Sequence, residues 1–165
     1  MCDARILCLG NDLLADDSFG YAVADRLRPY ADAGTEVVST SETGFYLMDY
    51  LLNARVVVVV DSVLTGKAPV GTIYVLGEGE LKVVNGGSPH YVGLSESVAL
   101  ARELRMPVAE AVIIVAVEIA DCLTMGGRMN PALTAVIPEV LGIVRSIVTS
   151  KRRCKTRPHH TASAA

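Results

Sequence analysis

Ile6-Leu7-Cys8-Leu9-Gly10-Asn11-Asp12-Leu13-Leu14-Ala15-Asp16-Asp17-Ser18-Phe19-Gly20 runs from an apolar strand, through a tight polar turn, to a pair of carboxylates that open a helix. The helix is legible because Phe19, Ala22, Val23 and Leu27 fall on one stripe at the 3.6-residue period. A strand that feeds a helix through a glycine-containing turn is a geometry with which α/β proteins build ligand sites. The usual guest at such a helix mouth is a phosphate, but two carboxylates there repel an anion and attract a cation. A second reading leaves Asp16 and Asp17 only to cap the helix and complement its dipole.

Outward from this stretch, the strongest strand signal is Arg55 followed by five valines, Val56 to Val60. Such a run, apolar on both faces and β-branched throughout, predicts a central strand of a parallel sheet. It ends in Asp61. A charge at the carboxyl end of a central strand lies at the edge where open α/β sheets bind ligands. The helical segment between the two strands favours parallel pairing, so Asp17 and Asp61 are expected to face one another across one crevice. Asp61 also has an ordinary reading as the first residue of an Asx turn with Ser62.

The remaining elements complete an α/β pattern. Thr35–Ser39 is a strand by its β-branched content, and Ser41-Glu42-Thr43-Gly44 turns into a short helix with Phe45, Met48, Leu51 and Leu52 on one face. Thr72–Leu76 follows only a short polar linker, so it is expected antiparallel at a sheet edge. Asn85 to His90 is a glycine-rich loop ending in Pro89-His90 before a helix from Leu94 to about Leu104. Glu110–Val117 is a further apolar strand. Glu118 follows it, either as another polar group at the crevice or as a solvated end. Asn130-Pro131 starts the last helix with a cap and a proline at its first turn. Its core stripe comprises Leu133, Val136, Ile137, Val140, Leu141, Val144, Ile147 and Val148, with a kink expected at Pro138. Met106, Met125 and Met129 read as core filler or loop residues. The order predicts a three-layer α/β/α sandwich around a mainly parallel twisted sheet of about five strands.

Composition bounds the function. At 165 residues, residues 1–150 suffice for one α/β domain with a substantial core. The longest apolar runs fall well short of the roughly 18 residues needed to span a bilayer, so no membrane partner is expected. Net charge is −3, but Lys151, Arg152, Arg153, Lys155 and Arg157 crowd the end of the chain; without them ten basic residues face eighteen acidic ones, a net −8. An acidic body argues against nucleic acid. Residues 151–165 read as a basic, disordered tail. Cys2, Cys8, Cys122 and Cys154 form no C-x-x-C pair and read as reduced thiols. With no secretion signal at the N-terminus, this predicts a cytoplasmic protein. The core accounts for the apolar residues, so a monomer is expected.

His90, set at a helix mouth behind a proline, completes a pattern of two oxygen donors and an imidazole at element boundaries. Such a set suits a divalent transition metal with open coordination positions. Leu9 to Gly20, then Val59-Val60-Asp61-Ser62-Val63 with Gly66 and Pro69-Val70-Gly71-Thr72, then Ser88-Pro89-His90, resemble the [NiFe]-hydrogenase maturation endopeptidases over about residues 4–148. The resemblance implies a processing protease that removes a C-terminal extension from the hydrogenase large-subunit precursor after nickel insertion. It places that family's metal contacts on Asp17, Asp61 and His90, which would read the nickel held by the precursor. Cadmium or zinc could occupy the same site. It also implies a substrate-facing loop at Thr43-Gly44. Cys8 and Ser18 stand where glycine is usual in the family, and Ser39-Thr40-Ser41 replaces its Asp-Gly-Gly type segment, a change that bears on precursor specificity.

Other classes fit less well. A nucleotide-binding module lacks G-x-G-x-x-G, and carboxylates occupy the place of the phosphate. No G-x-S-x-G elbow supports serine hydrolysis. Cysteine proteolysis would need an exposed thiol beside a histidine, whereas Cys8 lies in an apolar strand. The remaining rival is a relative that only senses or chaperones the metallated precursor.

Overall fold

A computed structural model describes residues 2–77, 80 and 94–153. Its regular elements are β1 (Cys2–Leu9), α1 (Phe19–Leu27), β2 (Thr35–Thr40), α2 (Met48–Leu51), β3 (Ala54–Val63), β4 (Ile73–Gly77), α3 (Leu94–Glu103), β5 (Ala111–Glu118) and α4 (Pro131–Arg153). The sheet order is β2-β1-β3-β5-β4. β1, β2, β3 and β5 are parallel, and β4 closes one edge antiparallel to β5. The three-layer, mainly parallel sheet expected from the sequence is therefore present, with its one reversed strand at the edge.

The alternation of each strand divides the core into two. Ile6, Cys8, Val56, Val58, Val60, Val115 and Val117 face α1 and α4, while Leu7, Leu9, Val57, Val59, Ile114 and Ala116 face α2 and α3. Val56 to Val60 are all buried to within 1% of full cover. A buried valine contributes about 2 kcal/mol, and the run serves both layers at once, which is why no polar residue interrupts it.

Two helices differ in detail from the sequence reading. The segment after Gly44 is a 3-10 turn, Gly44–Leu47, followed by a single α-turn. Leu51 enters the core as expected and Leu47 joins it, whereas Phe45 is 60% exposed. α4 buries Leu133, Ile137, Val140, Val144 and Val148 and contains Pro138. It is long and apolar enough to cross a membrane by length and composition, yet those five side chains pack on the sheet. Asn130 caps it as expected, its Oδ1 accepting from the Ala132 amide at 3.0 Å. The helix also extends into the basic segment read as disordered: Arg152 donates to Asp32 at 2.7 Å and to Thr35 Oγ1 at 3.0 Å. Residues 154–165 lie outside the described residues.

The entry into α1 is set by backbone contact. The Asn11 amide donates to the Asp17 carbonyl at 3.1 Å, which folds the turn back on the helix mouth. A Cβ on Gly10, whose φ is +154°, would lie 2.2 Å from that carbonyl oxygen, and one on Gly20 would lie 1.9 Å from the carbonyl oxygen of Leu9. Only glycine lets α1 rest this close to the end of β1.

Two outcomes follow from these contacts. Gly20→Ala must push α1 off β1 and is expected to cost about 3 kcal/mol, read by urea denaturation. The Arg152 hydrogen bond is the main reason the Asp32 carboxyl lies at about 2. A depressed carboxyl adds stability above its unfolded pKa and loses it as pH falls toward the folded value. NMR titration of Arg152→Ala should show Asp32 moving up toward its ordinary value and the acid limb of unfolding beginning at higher pH.

Candidate active site

β1 parts from β3 one residue before Asp61. Its pairing with β3 ends at Cys8 opposite Val60, while β3 continues beside β5 from Asp61 opposite Ala116 to Val63 opposite Glu118. Asp61 therefore lies inside the strand, two residues from its end, where the sheet opens between β1 and β5. It is fully buried, and Asp16 and Asp17 are each 4% exposed.

Ser62 joins the two halves of the site. Its hydroxyl donates to Asp17 Oδ1 at 2.6 Å, and its amide donates to Asp61 Oδ1 at 2.8 Å. One buried serine thus holds a carboxylate from the β1–α1 turn and another from the central strand. The expected meeting of Asp17 and Asp61 occurs through this residue. Hydrogen bonds to ionised groups are short and about twice as strong as neutral ones, and they fix the orientation of what they hold.

The neighbouring carboxylates have other tasks. Asp16 neither caps α1 nor faces Ser62. Its Oδ1 accepts from the Asn130 amide at 2.8 Å and its Oδ2 from the Ala120 amide at 3.2 Å. Glu118 is not a solvated strand end. It is 1% exposed and ties down the linker after β3, accepting from the Thr65 and Gly66 amides, each at 2.8 Å, from Thr65 Oγ1 at 2.7 Å and from the Tyr74 hydroxyl at 3.1 Å.

Three further expectations concern this edge. Thr43 is exposed and extended, and Gly44, at φ +62°, starts the 3-10 turn that presents Phe45 and Tyr46 to solvent. Cys8 is fully buried, and burial pushes its thiol up to about 12, so it stays protonated and is no nucleophile. Ser18, in its position at the helix mouth, donates to the Ala15 carbonyl at 2.7 Å and is readily accommodated. His90 lies outside the described residues. Among the described residues no three acidic, histidine or cysteine side chains form a metal-binding group.

Fold and site define a three-layer α/β protein with a buried acidic pair at the carboxyl edge of a mostly parallel sheet. Known proteins narrow the class. The profile of the hydrogenase maturation protease family matches residues 22–147, and the chain belongs to that family. The matched span includes Asp61 and Ser62 but begins after Asp17. The chain is 28% identical over 151 residues to the hydrogenase expression/formation protein HupM of Azotobacter chroococcum mcd 1, covering 88% of this chain and 71% of that protein. The fold is that of the hydrogenase maturating endopeptidase HybD from E. coli, at a TM-score of 0.79 and 22% identity over 91% of this chain and 93% of that one. The [NiFe] hydrogenase maturation protease HybD from Thermococcus kodakarensis superposes at 0.72 with 20% identity, covering 90% and 99%. The protein is thus a hydrolase, an endopeptidase of hydrogenase maturation.

Asp16 and Asp17, adjacent in sequence, are separable by experiment. Asp16→Ala strands two amides on the loop before α4 and should cost about 3 kcal/mol, read by urea unfolding. Asp17→Asn keeps an acceptor for Ser62 and should leave the unfolding midpoint nearly unchanged.

Proposed function

We propose that this chain removes the C-terminal extension of a [NiFe]-hydrogenase large-subunit precursor once nickel is in place, with Asp17, Asp61 and His90 contacting the nickel that the precursor brings. The observation that carries this reading is the buried pair of carboxylates held on Ser62. Burying carboxylates is costly unless donors or a cation balance the charge. A divalent ion supplied by the substrate would meet two negative groups already oriented for it.

In this reading nickel is part of the substrate, and cadmium or zinc would stand in for it at the same donors. A metal beside the scissile amide can polarise its carbonyl or activate a water. The chain's own contribution is to orient the metal-bearing segment. Asp17 and Asp61 are positioned in a site of low dielectric, where a charge acts more strongly than in water. Thr43 and Gly44 would line the path of the extension, ahead of the exposed Phe45 and Tyr46. The partner is the precursor, met by a monomer in the cytoplasm.

The deciding experiment incubates the protein with nickel-loaded and nickel-free precursor from the same organism and follows mass. Loss of a short C-terminal peptide from the loaded form alone is the expected result. Stable association with no mass change would replace the protease reading with that of a sensor or chaperone. Asp17→Asn and His90→Ala are each expected to abolish processing while retaining the wild-type melting temperature. A large loss of stability in either variant would count against these assignments.

A further inference from the structure

Among the described residues, nine large apolar side chains are exposed, and five of them sit on loops at the carboxyl edge of the sheet: Leu13, Phe45, Tyr46, Leu123 and Met125. Elsewhere, Tyr30 lies beneath the Arg145 guanidinium, 4.3 Å from the ring centre. Leu13, Leu123 and Met125 are 62%, 82% and 76% exposed. They occupy two loops that the fold binds firmly together.

The binding is specific. The Gly126 amide donates to the Leu13 carbonyl at 2.8 Å and the Ala15 amide to the Thr124 carbonyl at 3.1 Å. Asn11 Oδ1 accepts from the Leu13 amide at 3.0 Å, and Asp121 Oδ1 accepts from the Leu123 amide at 2.8 Å. Asp16 then takes the Ala120 and Asn130 amides, one at each end of the loop that carries Leu123 and Met125. A buried carboxylate therefore clamps both ends of a loop whose middle offers apolar side chains to water. The next residue, Asp17, holds the hydroxyl of Ser62 in the acidic pair.

We infer that Leu13, Leu123 and Met125 form a preset apolar ridge that docks the precursor surface immediately around its nickel, an inference that rests on the proposed function. Neighbouring apolar side chains held in solvent on backbone-braced loops mark a surface built for a partner. Continuity with the acidic pair selects which partner. The ridge and Asp17 are parts of one clamped unit, so a protein that carries a metal to Asp17 must lay its adjoining surface on the ridge. The complementary patch on the precursor is apolar, flanking the metal and the segment to be removed. Because hydrogen bonds hold the backbone of both loops before binding, little backbone ordering opposes association.

Steady-state processing of nickel-loaded precursor tests this with wild type, L123S/M125S and, as a control, V75S, which alters an exposed apolar residue on the edge strand β4. The double variant should raise KM about tenfold or more, as loss of interface anchors does, with kcat and the melting temperature retained and V75S unchanged. An unaltered KM in the double variant would overturn the ridge while leaving the protease reading standing. A fall in kcat at constant KM would also overturn it, since the side chains would then act on the reaction and not on docking. A wild-type dimer that the double substitution dissociates would assign the ridge to a second copy of this chain. A wild-type protein that trims neither form of the precursor would overturn the proposed function and the ridge with it.

Discussion

The close approach of α1 to the end of β1 is the constraint on which the rest of this molecule depends. Gly10 and Gly20 allow backbone to touch backbone at distances no side chain could share, and the Asn11 amide closes the turn on the Asp17 carbonyl. That contact fixes where residues 16 and 17 leave the turn. Asp16 then faces the loop before α4, and Asp17 faces the central strand. Two adjacent carboxylates enter different environments because these contacts set the path of the backbone that carries them.

Their separation explains how the fold keeps so many acids at one edge. Asp16 and Glu118 are each surrounded by amide and hydroxyl donors, which offset the cost of burial and tie loops to the sheet. Asp17 and Asp61 share Ser62. Three of these four carboxylates sit at strand ends or turns, and the fourth lies where β1 departs and β3 continues beside β5 alone. A parallel sheet opens naturally at such a point, since the connections from neighbouring strands leave toward opposite faces. The acidic pair is thus placed by topology, and the loops around it are tied down by Asp16 and Glu118.

Much of this was legible in the chain itself. Five consecutive valines are apolar on both faces, so a central strand covered by helices was the available solution. The short linker before Thr72 left room only for a reversed edge strand, as found. Asp17 and Asp61 were identifiable because a charge following an apolar run must lie at an element boundary or inside a site. Phe45 departs from its expected place because the residues after Gly44 form a 3-10 turn, which buries Leu47 beside Leu51 and leaves Phe45 outside. The residues at which α4 ends differed because Arg152 finds Asp32, a partner 120 positions earlier that local composition does not reveal.

Sequence by itself determined the layers, the strand directions and the candidacy of the two aspartates, because periodicity and the length of connections are local properties. Tertiary structure alone decided the tasks of the acids. Asp16 and Asp17 are the same residue type at consecutive positions, and only their long-range partners, Ala120 and Asn130 for one and Ser62 for the other, distinguish a clamp from a member of the acidic pair. Ser62 gave no signal of its own, since a serine after an aspartate reads as a turn. It became a link because β3 outlasts its pairing with β1 and brings the hydroxyl to a turn 45 residues away.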